Sequence, residues 1–158
     1  MKIDENLLHQ LNDDNKKLSP QNILEDSINN IFRKKMVYVC SFGTESAIIL
    51  HMISQIDRSF PIILLNTNYL FKDTIKYKDY LISKLKFSNF KEIFPPVEDL
   101  KINDSKGTLW KENPDLCCNI RKVLPLQKEL KKYDAWVSGR KSYHEGERKS
   151  LKFFEYIN

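Results

Sequence analysis

Residues 36–56 constrain the fold more than any other stretch of the chain. Met36-Val-Tyr-Val-Cys40 is apolar and partly β-branched, the composition of a short buried strand. Ala47–Ile56 places Ile49, Met52, Ile53 and Ile56 three or four apart, which suits one face of a helix. Only Ser41-Phe-Gly-Thr-Glu-Ser46 separates the two, so strand must pass to helix through a tight bend. Amides at such a helix start lack intrahelical partners and, with the helix dipole, make a seat for phosphate or sulfate. A plain junction with Ser41 or Thr44 as helix cap is the alternative.

The same alternation recurs downstream. Phe60–Leu65, Phe90–Phe94 and Ala135–Ser138 read as further strands, and 72–86 and 116–132 as helices. Within the first of these helices Ile75, Leu81, Ile82 and Leu85 are core candidates, and Pro125 kinks the second or opens a new one. Pro95-Pro96 halts the third strand, and 97–115 reads as loop with Trp110 as its anchor. Strands alternating with helices require right-handed crossovers, hence an α/β fold with a mostly parallel sheet sandwiched by helices. Ligands of such sheets sit beyond the carboxyl ends of the strands. Three polar turns fall there, at 41–44, 66–68 and 138–141. Ahead of this domain (36–158), residues 1–35 form a helical segment: Asn12–Lys17 reads as loop, and Ser19-Pro20 as the start of an amphipathic helix.

Composition narrows the function. The net charge is +5, but the lysines are scattered among acidic residues, with no basic stripe interleaved with aromatics, so no nucleic acid partner is expected. No apolar run is long enough to cross a membrane and the N-terminus is polar, which predicts a cytoplasmic protein. Three cysteines, an odd number, argue against a disulfide framework. Cys40, on a strand, reads as a packed core residue. Cys117 and Cys118 are adjacent and precede Arg121-Lys122. They are structural thiols, a vicinal disulfide, or two thiolate ligands to a metal centre with cations nearby.

Taken together, Ser41-Phe42-Gly43, Leu65-Asn66-Thr67, Cys117-Cys118-x-x-Arg-Lys-Val-x-Pro-Leu and Trp136-Val-Ser-Gly-Arg-Lys141 with Arg148 resemble the assimilatory adenylyl-sulfate and phosphoadenylyl-sulfate reductases. The match runs over roughly residues 36–151 in the order of that family. The resemblance implies an adenine-nucleotide α-hydrolase-like (Rossmann-like) fold. It also implies reduction of a sulfonucleotide to sulfite plus AMP or adenosine 3′,5′-bisphosphate, with thioredoxin or glutaredoxin as reductant. Adjacent cysteines are similar to the branch that carries a [4Fe–4S] cluster, for which Cys117 and Cys118 would be two of four ligands. Substrate contacts carried over by position are Ser41, Phe42, Gly43, Thr44, Leu65, Thr67, Lys122, Arg140, Lys141 and Arg148. Lys122, one helical turn after Cys118, would stabilise charge on the departing sulfite.

The sequence also departs from that pattern. It contains neither the Glu-Cys-Gly-x-His segment that carries the family's nucleophile nor a second cysteine pair. The nucleophilic Cys is therefore expected beyond Asn158, and the chain is expected to be a C-terminally truncated, substrate-binding core that is inactive alone. Asn66 stands in place of an acidic residue and Asn68 where glycine is common. Two other readings stay open: an ATP-pyrophosphatase-like adenylating enzyme, disfavoured because bulky Phe42 would crowd a pyrophosphate, and a non-catalytic nucleotide-binding module. Whether the chain forms a homo-oligomer is left open.

Overall fold

A computed structural model describes residues 4–140 and 150–157. Four strands, β1 (Met36–Val39), β2 (Ile62–Leu65), β3 (Phe90–Ile93) and β4 (Ala135–Val137), form one sheet in the order β3-β2-β1-β4. Every pairing is parallel, with Tyr38 opposite Ile62, Met36 opposite Ala135 and Ile62 opposite Phe90. The expected parallel α/β sheet is thus observed, each strand one or two residues shorter than the stretch expected from sequence. No helix among the described residues is long and apolar enough to cross a membrane.

The central strands β1 and β2 are apolar on both faces because helices cover both, whereas the edge strand β3 carries Lys91 and Glu92. On one face Met36, Tyr38, Cys40, Ile62 and Leu64 pack with Leu50, Ile53 and Leu81, from α3 (Ser46–Ile56) and α4 (Lys72–Leu85). The other face buries Val37, Ile63 and Ile93 against Leu126 and Leu130 of α8 (Leu124–Leu130). The buried stripe of α3 runs through Leu50 and Ile53, both fully buried, while Ile49, Met52 and Ile56 are only half-buried. Of the α4 candidates Leu81 is buried and Ile82 and Leu85 flank the core.

Three local expectations change. Asn12–Asn15 is not loop but the end of α1 (Glu5–Asn15), capped by Asp4, whose Oδ1 accepts from the Leu7 amide at 2.8 Å. Asn12 and Asn15 donate back to the carbonyls of Leu8 and Leu11, and Asn12 also exchanges hydrogen bonds with the Phe154 backbone. Tertiary pairing thus overrides the turn preference of asparagine. Ser19 caps α2 (Pro20–Asp26) as expected. A π-helical turn over Ser27–Ile31 follows it.

The 97–115 stretch contains α5 (Val97–Asn103) and α6 (Leu109–Glu112). Trp110 is not an anchor: it is 51% exposed, and Leu109 beside it is buried instead.

The segment after Asn113 is helical throughout, but its winding changes. α7 (Pro114–Cys118) passes into a second π turn, Asn119–Val123, and then into α8. The Leu124 amide donates to Asn119 O, five residues back. Pro125 has no amide to give Arg121 O, so an α-helical bond is already missing there. The wider turn absorbs that gap without a sharp break.

Candidate functional site

A cavity of about 560 Å³ opens beyond the carboxyl ends of β1 and β2, in the range of small-ligand pockets. β1 and the bend after it contribute Val39, Cys40 and Ser41; β2 and its turn contribute Leu64, Leu65, Thr67 and Tyr69. Trp110 from α6 stands opposite, with Cys117, Cys118, Arg121 and Lys122 from the long helix. The position is the one expected for a ligand of a parallel sheet.

The bend between β1 and α3 is built differently from its sequence. Phe42, not Gly43, takes the left-handed conformation, with φ +53°. Its ring is 2% exposed and meets Phe90 edge to face at 5.8 Å. The side chain therefore points into the core and does not crowd the cavity, so bulk at Phe42 is no objection to a pyrophosphate. What the bend offers a ligand is the backbone of Gly43 and Thr44 beside it. Neither Ser41 nor Thr44 caps α3, whose N-cap is Glu45. Gly43 O accepts from Ser46 N at 2.9 Å, while the amides of Gly43 and Thr44 find no acceptor among the described residues. Such amides at a helix start can hold an anion.

Below this bend Cys40 is 1% exposed, as expected of a core thiol. Burial pushes its thiol up, only partly offset by hydrogen bonds from the Phe42 amide, Ser46 and Tyr38. Burial likewise raises the Tyr38 phenol. Cys40 is a neutral floor of the cavity, not a thiolate.

The β2 turn is fixed on both sides. Asn66 Nδ2 donates to Glu92 at 2.7 Å and its Oδ1 accepts from Asn68 N, an Asx turn. Asn68 sits at φ +67°, where asparagine is tolerated in place of the usual glycine. Glu92 is also paired with Lys78, a buried lysine of α4, at 2.6 Å. Burial opposes ionisation of Glu92, but hydrogen bonds from Asn66 and Lys78 outweigh it and lower its pKa. Thr67 is buried, and its Oγ1 accepts from Tyr69 N.

Arg121 is the largest surprise. A surface role would suit a helical arginine beside Lys122, yet its side chain is only 6% exposed. Nη1 donates to Thr67 O at 2.8 Å and Nη2 to Asp104 Oδ2 at 2.5 Å. The guanidinium lies over the Tyr69 ring at 4.4 Å. Burial disfavours its charge, but Asp104 outweighs that and raises its pKa; reciprocally, Arg121 holds the Asp104 carboxyl below the usual carboxylate range. Nε has no partner among the described residues. Lys122 points elsewhere: it is exposed on the cavity rim and makes no ion pair among the described residues.

Of the expected site residues, Ser41, Leu65, Thr67, Cys117, Cys118 and Lys122 meet at this cavity. Gly43 and Thr44 are exposed on the adjoining bend. Arg140 does not join them: it pairs with Glu155 at 3.0 Å and lines a separate groove against the N-terminal helices. Lys141 and Arg148 lie outside the described residues. Sequence reasoning missed Arg121, Asp104, Tyr69 and the rim position of Trp110. One signal was available: Arg121 follows Cys117 by four residues just as Lys122 follows Cys118, so the first pair shares a buried face and the second an exposed one.

The thiols are free, Cys117 buried and Cys118 exposed. Among the described residues no group of three or more His, Cys, Asp or Glu is placed to hold a metal ion. Cys117 and Cys118 alone do not make a four-thiolate site.

Comparisons with known proteins agree with one another. Residues 35–157 match the phosphoadenosine phosphosulfate reductase domain. Proteins named adenosine 5′-phosphosulfate reductase from Mesorhizobium japonicum and Chelativorans sp. are each 38% identical, over 140 and 142 residues, and cover 89% of this chain. A Bacillus cereus protein of the same name is 37% identical over 123 residues, 77% of the chain. The chain spans only 55%, 58% and 53% of those three relatives, about half their length. The crystal structure of phosphoadenylyl-sulfate reductase from Candida auris, a phosphate complex, superposes with a TM-score of 0.73 at 24% identity, covering 89% of this chain and 70% of that one. That likeness establishes the same fold. With the domain match spanning most of its length, the chain belongs to the phosphoadenosine phosphosulfate reductase domain family.

Proposed function

We propose that this chain is the substrate-binding part of a sulfonucleotide reductase, which converts adenylyl sulfate, or its 3′-phosphorylated form, to sulfite and the corresponding adenosine phosphate. The observation that carries the reading is the meeting of Ser41, Cys118 and Lys122 around one cavity at the carboxyl ends of β1 and β2. The mostly apolar interior, with Leu64, Leu65 and Tyr69, suits a purine. The amides of Gly43 and Thr44 on the Phe42 bend, and Lys122, none of them paired among the described residues, suit the phosphosulfate.

In the reaction a thiolate attacks the sulfate sulfur, the S–O bond breaks, and the nucleoside phosphate leaves with the electron pair. A second thiol then attacks the cysteine sulfur of the resulting S-sulfonate, the S–S bond breaks, sulfite leaves with its electron pair and a disulfide forms; thioredoxin or glutaredoxin supplies the electrons. The described residues contribute binding and charge. Lys122 neutralises the phosphosulfate as the bond breaks, and the bend amides orient its oxygens. No attacking thiolate is assigned to them: Cys40 is buried and neutral, Cys117 is buried beside Arg121, and exposed Cys118 is read with Cys117 as a cluster ligand. Cys117 and Cys118 would be two ligands of a [4Fe–4S] cluster, but the described residues place no third ligand beside them. The chemistry assigned to this chain therefore rests on its own cations and amides.

Titration calorimetry with adenylyl sulfate, AMP and magnesium ATP tests the reading. Adenylyl sulfate should bind more tightly than AMP, with ATP weakest. Preferential binding of magnesium ATP would favour an adenylating enzyme instead, and equal binding of all three a nucleotide-binding module.

A further inference from the structure

The brace around Arg121 depends on a carboxylate that does not line the cavity at all. Asp104, at the end of α5, has a side chain 1% exposed. Its Oδ2 accepts from Arg121 and its Oδ1 from the Leu109 amide at 2.9 Å. One carboxylate thus joins the π turn that carries Arg121 to the first residue of α6, which carries Trp110. Arg121 extends the connection to Thr67 O and the Tyr69 ring. Tyr69 closes the circuit, its hydroxyl donating to Gly107 O at 3.0 Å. Gly107 lies at φ +67° in the turn after Asp104, whose carbonyl accepts the Gly107 amide. Thr67, Tyr69, Trp110 and Arg121 all line the cavity, and each is held directly or at one remove by Asp104.

We propose that Asp104 is a positioning residue of the nucleotide cavity: by clamping and neutralising Arg121 it sets the wall made by Thr67, Tyr69 and Trp110, and leaves Lys122, among the described lining residues, as the cation available to a ligand. Breaking such a clamp on one side leaves a buried guanidinium unpaired, which destabilises the protein whatever its function. Charge balance and position must therefore be separated. In Asp104→Asn/Arg121→Gln both charges are gone, so the penalty of an unpaired charge is absent and the melting temperature returns toward the native value. The wall stays loose.

Two readouts follow on the same variants. Amide hydrogen exchange needs no ligand: in Asp104→Asn, and in the double variant, exchange should quicken about tenfold or more over 67–69 and 107–111 while the amides of β1 and β2 stay as in the native chain. Exchange that is unchanged, or that quickens uniformly, overturns the proposal. The second readout rests on the reading of the cavity as a sulfonucleotide site: adenylyl sulfate should bind about tenfold more weakly to the double variant although its melting temperature has recovered. Recovery of affinity together with stability would make Asp104 a counter-ion only, and would overturn it. If the native chain binds no adenylyl sulfate, the functional reading fails while the exchange pattern still decides the role of Asp104.

Discussion

Phe42 offers the sharpest test of how the bend is built. Its ring is 2% exposed and edge-on to Phe90, so truncation removes a buried aromatic from a packed core. Losses for Phe→Ala at such sites run to about 3–5 kcal/mol, of which the aromatic pair accounts for about 0.5–1.5 kcal/mol. Its backbone adds a second, separable contribution. At φ +53° a residue with a Cβ costs roughly 1–2 kcal/mol relative to glycine. Phe42→Ala loses the ring and keeps that cost. Phe42→Gly loses the same ring but relieves the backbone, against about 0.5–1 kcal/mol for the freer unfolded chain.

The glycine variant should therefore be the more stable of the two by up to ~1.5 kcal/mol, although glycine ordinarily destabilises. Urea unfolding followed by circular dichroism, extrapolated linearly to water, measures both. A loss below about 1.5 kcal/mol for alanine would mean the ring is not packed as described. A glycine variant less stable than alanine would refute the left-handed backbone at this position. Phe90→Ala combined with each variant isolates the ring pair through the coupling energy.

The remaining expectations concern charge and thiols. Lys122→Ala should weaken adenylyl sulfate binding about tenfold or more with little change in melting temperature, since it loses only a charge-assisted contact; Arg140→Ala, tied to Glu155 away from the cavity, should leave affinity unchanged. Alkylation followed by peptide mass spectrometry should modify exposed Cys118 first and buried Cys40 last, because burial holds the Cys40 thiol protonated; early labelling of Cys40 would contradict its environment. The folded pKa of Glu92 is depressed, so its contribution to stability is complete above the ordinary carboxylate value of about 4.3 and is lost as pH falls through the lower folded value. The urea midpoint of Glu92→Gln should thus lie below the native one at pH 7 and converge with it in acid; a gap that persists at low pH would show that the Glu92 charge is not the source.

The sheet was legible because its signals are local. The central strands are short apolar runs between turn residues, and both of their faces read apolar since helices cover both. The ligand end of the sheet followed from topology; Ser41, Cys118 and Lys122, carried over from the family resemblance, lie at the cavity there. What the sequence withheld depends on contacts between distant residues. Asn12–Asn15 is rich in turn formers and becomes helix because Asn12 bonds the backbone of Phe154. Arg121 reads as surface until Asp104, seventeen residues earlier, is seen to neutralise it. Phe42 at a left-handed position has no sequence signature, since glycine next to it is the residue anyone would choose. The expected convergence of Arg140 failed for the same reason: charge alone does not say which way a side chain turns in the loop after β4, where Arg140 pairs with Glu155.

A π turn amounts to one surplus residue threaded into an α-helix, and at Asn119–Val123 that surplus sets the phase between two functions of a single rod. Upstream of it the helix presents Cys117 to Leu109, which Ile120 of the turn itself also meets; downstream it presents Leu126 and Leu130 to the sheet. Consecutive α-helical residues are offset by about 100° around the axis. Excising one residue from the turn would therefore swing either the thiols off their cavity or the leucines off β1 and β2. The wide coil is the joint that lets one helix serve the pocket and the core at the same time.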